Sequence, residues 1–125
     1  MATDLLVGNS IQQGEKLLRA LDKDRFPVTT ALWHLSDGTW KLVIASPVVD
    51  RDGPREAYRQ VNEVLRSQNS ELNLSEIAVV SPQEPLVQLL RAAIMTGPRD
   101  VSGIRFTANT INHVFVEDAY IYRLT

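Results

Sequence analysis

The chain has 125 residues, 44% of them hydrophobic, which suits one domain spanning residues 1–125 with a single real core. Thirteen Lys and Arg against fifteen Asp and Glu leave a formal charge of −2, so no strong overall field draws it to nucleic acid or anionic membrane. The absence of cysteine removes disulfides, thiolate metal sites and cysteine nucleophiles, and no apolar run approaches the roughly 18 residues of a membrane span.

No basic leader is expected before Lys16, and the location expected is cytoplasmic. Glycine and proline occur singly along the chain, and nothing marks a domain boundary. Gly-Pro-Arg occurs at 53–55 and again at 97–99 without matching flanks, which reads as coincidence rather than as a repeat.

Val7, Ile11, Gly14, Leu18 and Leu21 recur at helical spacing, so Asp4 to about Lys23 reads as an amphipathic helix capped by Asp4. A competing start lies at Ser10, where Ser10 and Gln13 have capping-box spacing. Val28 to Leu35 and Thr39 to Ser46 are β-rich runs around Ser36-Asp37-Gly38. An Asp-Gly type I′ turn pairs Leu35 with Trp40 and Trp33 with Leu42. That register puts Ala31, Trp33, Leu35, Trp40, Leu42 and Ile44 on one face. Thr30, Leu32, His34, Lys41, Val43 and Ala45 lie on the other.

Residues 47–53 read as a loop leading to Pro54, a favourable first helical residue, and the helix it opens ends near Arg66. Ile77 to Val80 is a short strand. Ser81-Pro82-Gln83-Glu84 has the pattern of a helix start, and Leu86 to Met95 is apolar at all positions but Gln88 and Arg91, so this helix is expected to be buried on most sides. Ile104, Phe106 and Ala108 alternate with polar residues, and His113 to Leu124 reads as a return strand after a turn at 109–112. The fold class is therefore α/β, with a mixed five-stranded sheet and three helices in the order αββαβαββ. Two strand–helix–strand connections imply a parallel centre, with antiparallel hairpins at the edges.

The Asp50–Arg55 loop passes from a strand end into a helix N-terminus, where Gly53 and the side chains of Arg51, Arg55 and Arg59 are candidates for an anion. Against this, Asp50 and Asp52 repel anions, Glu56 and Glu63 can pair with Arg59, and no phosphate-loop glycine pattern is present. His34 and His113, the two histidines, make no metal-ligand pattern with cysteine or with each other. No Gly-x-Ser-x-Gly is present, and Glu117-Asp118 reads as a turn or a strand irregularity rather than a metal-binding carboxylate pair. The aromatic residues and single arginines of the C-terminal strands lack a ribonucleoprotein motif and read as core or protein interface.

With no complete catalytic constellation, no cofactor and no metal site expected, the sequence reads as a small soluble non-enzymatic interaction module, a homodimer or a subunit docking on a partner protein. Leu32, Val43, Leu86, Leu90 and Ile94 are the interface candidates. The alternative is a small enzyme or ligand-binding protein for a phosphorylated or carboxylated molecule, with Arg51 and Arg55 holding the anion and Asp50 as a base.

Overall fold

The computed structural model describes residues 8–125. In chain order its elements are α1 (Gly8–Lys23), β1 (Thr30–Ser36), β2 (Thr39–Ala45), α2 (Val48–Asp52), α3 (Pro54–Gln68), a 3₁₀ turn (Leu74–Glu76), β3 (Ile77–Val80), α4 (Pro85–Arg91), β4 (Ile104–Ile111) and β5 (Val114–Leu124). The α/β order expected from the sequence is present, with one addition. The segment read as a loop before Pro54 contains the five-residue helix α2, so among the described residues four α-helices accompany the sheet. The proposed cap Asp4 lies outside the described residues.

Local turn chemistry builds the first hairpin as expected. Asp37 and Gly38 both have positive φ, 52° and 77°, and the pairs Leu35–Trp40 and Trp33–Leu42 form across it. The strands are arranged β3-β2-β1-β5-β4. β1 therefore runs down the middle, antiparallel to β2 on one side and to β5 on the other. Its run of apolar residues follows from burial on both faces.

Two expectations about pairing are corrected. The sheet has an antiparallel centre, and its one parallel pair, β2 with β3, lies at an edge. β3 is only four residues long, whereas the eleven-residue β5 offers a ladder to both β1 and β4. The chain after α4 therefore crosses to the far edge. The second hairpin turns at Asn112-His113, both at positive φ, while Asn109 and Thr110 remain in the ladder opposite Val116 and Phe115. The expected turn at 109–112 is displaced because the last pair is Ile111 with Val114, which leaves a two-residue link.

One face of the sheet is covered by α1 and α3. Leu17, Leu18 and Leu21 of α1 and Ala57, Val61, Val64 and Leu65 of α3 pack with Ala31, Trp33, Leu42, Ile44, Ile77 and Val79. A bulge in β5 adds to this layer. Ala31 lies opposite Arg123 and Leu32 opposite Ile121, so Tyr122 is the extra residue, and both Tyr122 and Arg123 reach toward the helices. The Tyr122 hydroxyl accepts a hydrogen bond from Trp33 Nε1 at 3.0 Å and donates to the Ile11 carbonyl at 2.6 Å. Burial pushes the phenol pKa up, keeping it a donor. Gly14 makes this seating possible, since a Cβ there would lie against the tyrosine oxygen and 2.9 Å from the indole nitrogen.

The second face is covered by α4. Leu32, Val43, Ala45, Ala119, Ile121 and Leu124 pack with Val87 and Leu90. The helix is shorter than its sequence pattern suggests, because Ser81–Glu84 folds as a turn instead of a cap. Ser81 Oγ accepts the Gln83 N–H at 3.0 Å, and the Ser81 carbonyl accepts the Glu84 N–H at 3.0 Å. Helix geometry begins only at Pro85 and ends at Arg91, after which the N–H groups of Ala92, Ala93 and Ile94 turn back to the Leu89 and Leu90 carbonyls. Rather than being buried on most sides, α4 buries Val87 and Leu90 and leaves Leu86, Leu89 and Ile94 part-exposed.

Candidate functional site

The carboxyl ends of the parallel pair, β2 and β3, meet at Ser46 and Ser81. Ser46, fully buried, accepts the Val48 N–H on its hydroxyl at 3.2 Å, and its own N–H donates to the Val80 carbonyl at 2.9 Å. Ser81 donates its hydroxyl to Asp50 Oδ1 at 2.7 Å, which ties α2 to the turn before α4. Asp50 is thus an acceptor holding two segments together.

The anion candidates of this loop are largely engaged with their neighbours. The Gly53 N–H donates to the Val49 carbonyl at 3.0 Å, Pro54 has no N–H to offer, and Arg51 Nε lies 3.3 Å from Asp52 Oδ2. Arg59 spreads its guanidinium over Glu56 at 2.6 Å and Glu63 at 2.9 Å. The Arg59 hydrogen bonds, with one from Gln60, lower the Glu56 pKa to about 2. Of the four candidates, Arg55 makes no ion pair with a described residue.

Other polar residues singled out from the sequence are dispersed. His34 is half-buried on the second face, paired with Lys41 and Ala119, and desolvation lowers its pKa against an opposing effect of Glu117. His113 is exposed at the tip of the second hairpin. Glu117 and Asp118 differ in surroundings: Glu117 is exposed, while Asp118 is buried and takes two hydrogen bonds from Arg105, at 2.7 and 2.6 Å, and one from Thr107 at 3.1 Å. Arg105 holds the Asp118 carboxyl below its usual range and also lies 5.7 Å from the centre of the Trp40 ring. Among the described residues, no group of three or more His, Asp or Glu is placed to hold a metal, and no helix is long and apolar enough to cross a membrane.

The interface candidates divide into two sets. Leu32, Val43 and Leu90 belong to the core, at 0%, 6% and 0% exposure, because α4 lies directly on the sheet face that the sequence left without cover. Leu86, in the first turn of α4, and Ile94, three residues past its end, stay part-exposed. Leu86 and Leu89 line an apolar groove of about 570 Å³ together with Pro85, Gln88, Asn112 and Val114, so its other wall is the tip of the β4–β5 hairpin. Among the described residues, the large hydrophobic ones most open to water are Val114, which lines this groove, and its neighbour Phe115, at 50% and 62%, and Met95, beyond the helix end, at 77%. Periodicity could point to α4. The hairpin wall was beyond its reach, since it depends on the β4–β5 register and on the Asn112-His113 turn. No protein-family model, curated protein or solved structure matches this chain.

Proposed function

We propose that the protein is a small, soluble, cytoplasmic interaction module without catalytic activity, which pairs with a second copy through α4 and the tip of the β4–β5 hairpin. The observation that carries this reading is the apolar groove between helix and hairpin, lined by Leu86, Leu89 and the half-exposed Val114, with the exposed Met95 beyond the other end of the helix. A groove beside exposed apolar side chains of the same hairpin is self-complementary under a two-fold axis, since each copy offers both the cleft and what fills it. An interface near the standard size of roughly 800 Å² per partner is expected. The alternative small-ligand reading through Arg51, Gly53, Arg55 and Arg59 has less support, because most donors of that loop already serve their neighbours.

The test is the paired substitution Leu89→Glu and Val114→Glu, which puts charges on both walls of the groove without touching a fully buried residue. The expected outcome is a folded chain, by circular dichroism, that elutes at the mass of one copy where the parent elutes at two. An unchanged elution volume for the folded variant contradicts the proposal.

A further inference from the structure

Helices α1 and α3 end in the same hydrogen-bond pattern but with different residues at its strained position. After α3, the Asn69 N–H reaches the Arg66 carbonyl and the Ser70 N–H reaches the Leu65 carbonyl, both at 3.1 Å, with Asn69 at φ 53°. After α1, the Arg25 N–H reaches the Asp22 carbonyl at 3.0 Å and the Phe26 N–H reaches the Leu21 carbonyl at 2.9 Å, with Arg25 at φ 63°. This left-handed position favours glycine or asparagine, so an arginine there bears a steric penalty.

Arg25 lines a cavity of about 470 Å³ with Phe26, Pro27, Pro98, Arg99 and Arg123. Arg123, 1% exposed, donates from Nε to the Asp100 carbonyl at 3.0 Å, from Nη1 to Asp22 Oδ1 at 2.9 Å and the Val28 carbonyl at 3.2 Å, and from Nη2 to Asp22 Oδ2 at 2.7 Å. A guanidinium has five N–H groups, so one hydrogen on Nη2 remains without a partner among these. The nearby carboxylates are already engaged: Asp22, which also lines the cavity, with Arg123, and Asp100 with the Gly97 N–H at 2.7 Å. Arg25 and Arg99 make no ion pair with any described residue. The cavity thus gathers three arginines from the end of α1, the loop before β4 and the bulge of β5, against one lining carboxylate, Asp22, with Asp100 nearby.

We infer that this cavity binds a small molecule presenting a phosphate or carboxylate group. Arg25 and Arg99 take the oxyanion, Arg123 anchors the wall beneath, and Pro27 and Pro98 flank the organic part. The volume is in the range of small-molecule sites. The site does not depend on the α4 interface and is distinct from the Asp50–Arg55 loop.

Isotope-labelled protein is titrated with inorganic phosphate, phenyl phosphate and benzoate while backbone amides are followed by NMR. Saturable shifts centred on Arg25, Phe26 and Arg99 are expected, and the tighter of the two aromatic probes identifies the preferred acid group. Arg25→Gly and Arg99→Ala should each weaken that probe about tenfold or more, the loss of a charge-assisted hydrogen bond. Arg25→Gly should keep or raise the melting temperature, since glycine suits the left-handed position; this separates lost binding from lost folding. Shifts centred on Gly53 to Arg55, no saturation by any probe below about 10 mM, or unchanged affinity in both variants overturns the assignment.

Discussion

The two faces of the sheet are covered in different ways. The face under α1 and α3 is closed by two helices of 16 and 15 residues and locked by polar links inside it: Trp33 to Tyr122 to the Ile11 carbonyl, and Arg123 across to Asp22. The other face has one helix of seven residues, which seals Leu32, Val43 and Ile121 but leaves apolar side chains part-exposed along its own length. Both faces supply a core bordered by part-exposed apolar residues, but the groove between helix and hairpin lies on the second. An apolar run in a sequence therefore carries two meanings, and the length of the covering element decides between them.

The largest effect separating the faces should come from Trp33→Ala. It removes a side chain 1% exposed and leaves the Tyr122 hydroxyl without its donor, for an expected loss of about 3–5 kcal/mol of stability in denaturant unfolding. Leu89→Ala, at a part-exposed position at the edge of the second core, should lose less, about 1–2 kcal/mol. Similar losses at the two positions would erase the distinction between sealed and open faces.

Gly14→Ala sharpens the same point. In an exposed helix alanine would stabilise by roughly 1 kcal/mol, but here its methyl would press on the Tyr122 oxygen and the Trp33 nitrogen. Overpacking should win, with a net loss of about 1–3 kcal/mol by thermal or denaturant melting, and a gain in stability would show that the contact between helix and strand is looser than described.

A smaller effect concerns pH. The folded pKa of His34, on the second face, lies below the ordinary 6.5, chiefly through desolvation. Between the folded value and 6.5 the unfolded chain holds a proton that the folded chain does not, so this contribution is full above pH 6.5 and is lost as pH falls through the window. His34→Gln should therefore lose less stability than the parent as pH falls below 6.5. Asp118, on the first face, has a lowered pKa, so its contribution is full above 3.8 and declines only below that value, leaving the two faces with separate acid responses. Parallel pH profiles for parent and His34→Gln would place the acid sensitivity elsewhere.

How much of this was legible depends on sequence distance. The first hairpin could be read residue by residue because Asp37-Gly38 states its own turn and the alternation on either side agrees with it. The second hairpin was misplaced by a few residues because His113 adopts a backbone conformation that its identity does not advertise. The antiparallel centre has no signature in the sequence, because the order β3-β2-β1-β5-β4 is set by pairings between distant segments, and periodicity within a strand carries no partner information. The Arg123–Asp22 pair joins residues 101 positions apart through a one-residue bulge, so neither the buried arginine nor the cavity beside it had a local signature. In the Asp50–Arg55 loop, the competition of Glu56 and Glu63 for Arg59 was visible because all three lie on neighbouring helical turns. The bond from Ser81 to Asp50 was not.

The central claim is that the open face of the molecule is completed by a second copy. Sedimentation equilibrium of the unmodified protein over a concentration series tests it most directly. The account predicts a mass of two chains, 28 kDa from twice 14.0 kDa, at concentrations of about 10–50 µM, falling toward one chain on dilution. A mass of 14.0 kDa across that whole range would contradict it.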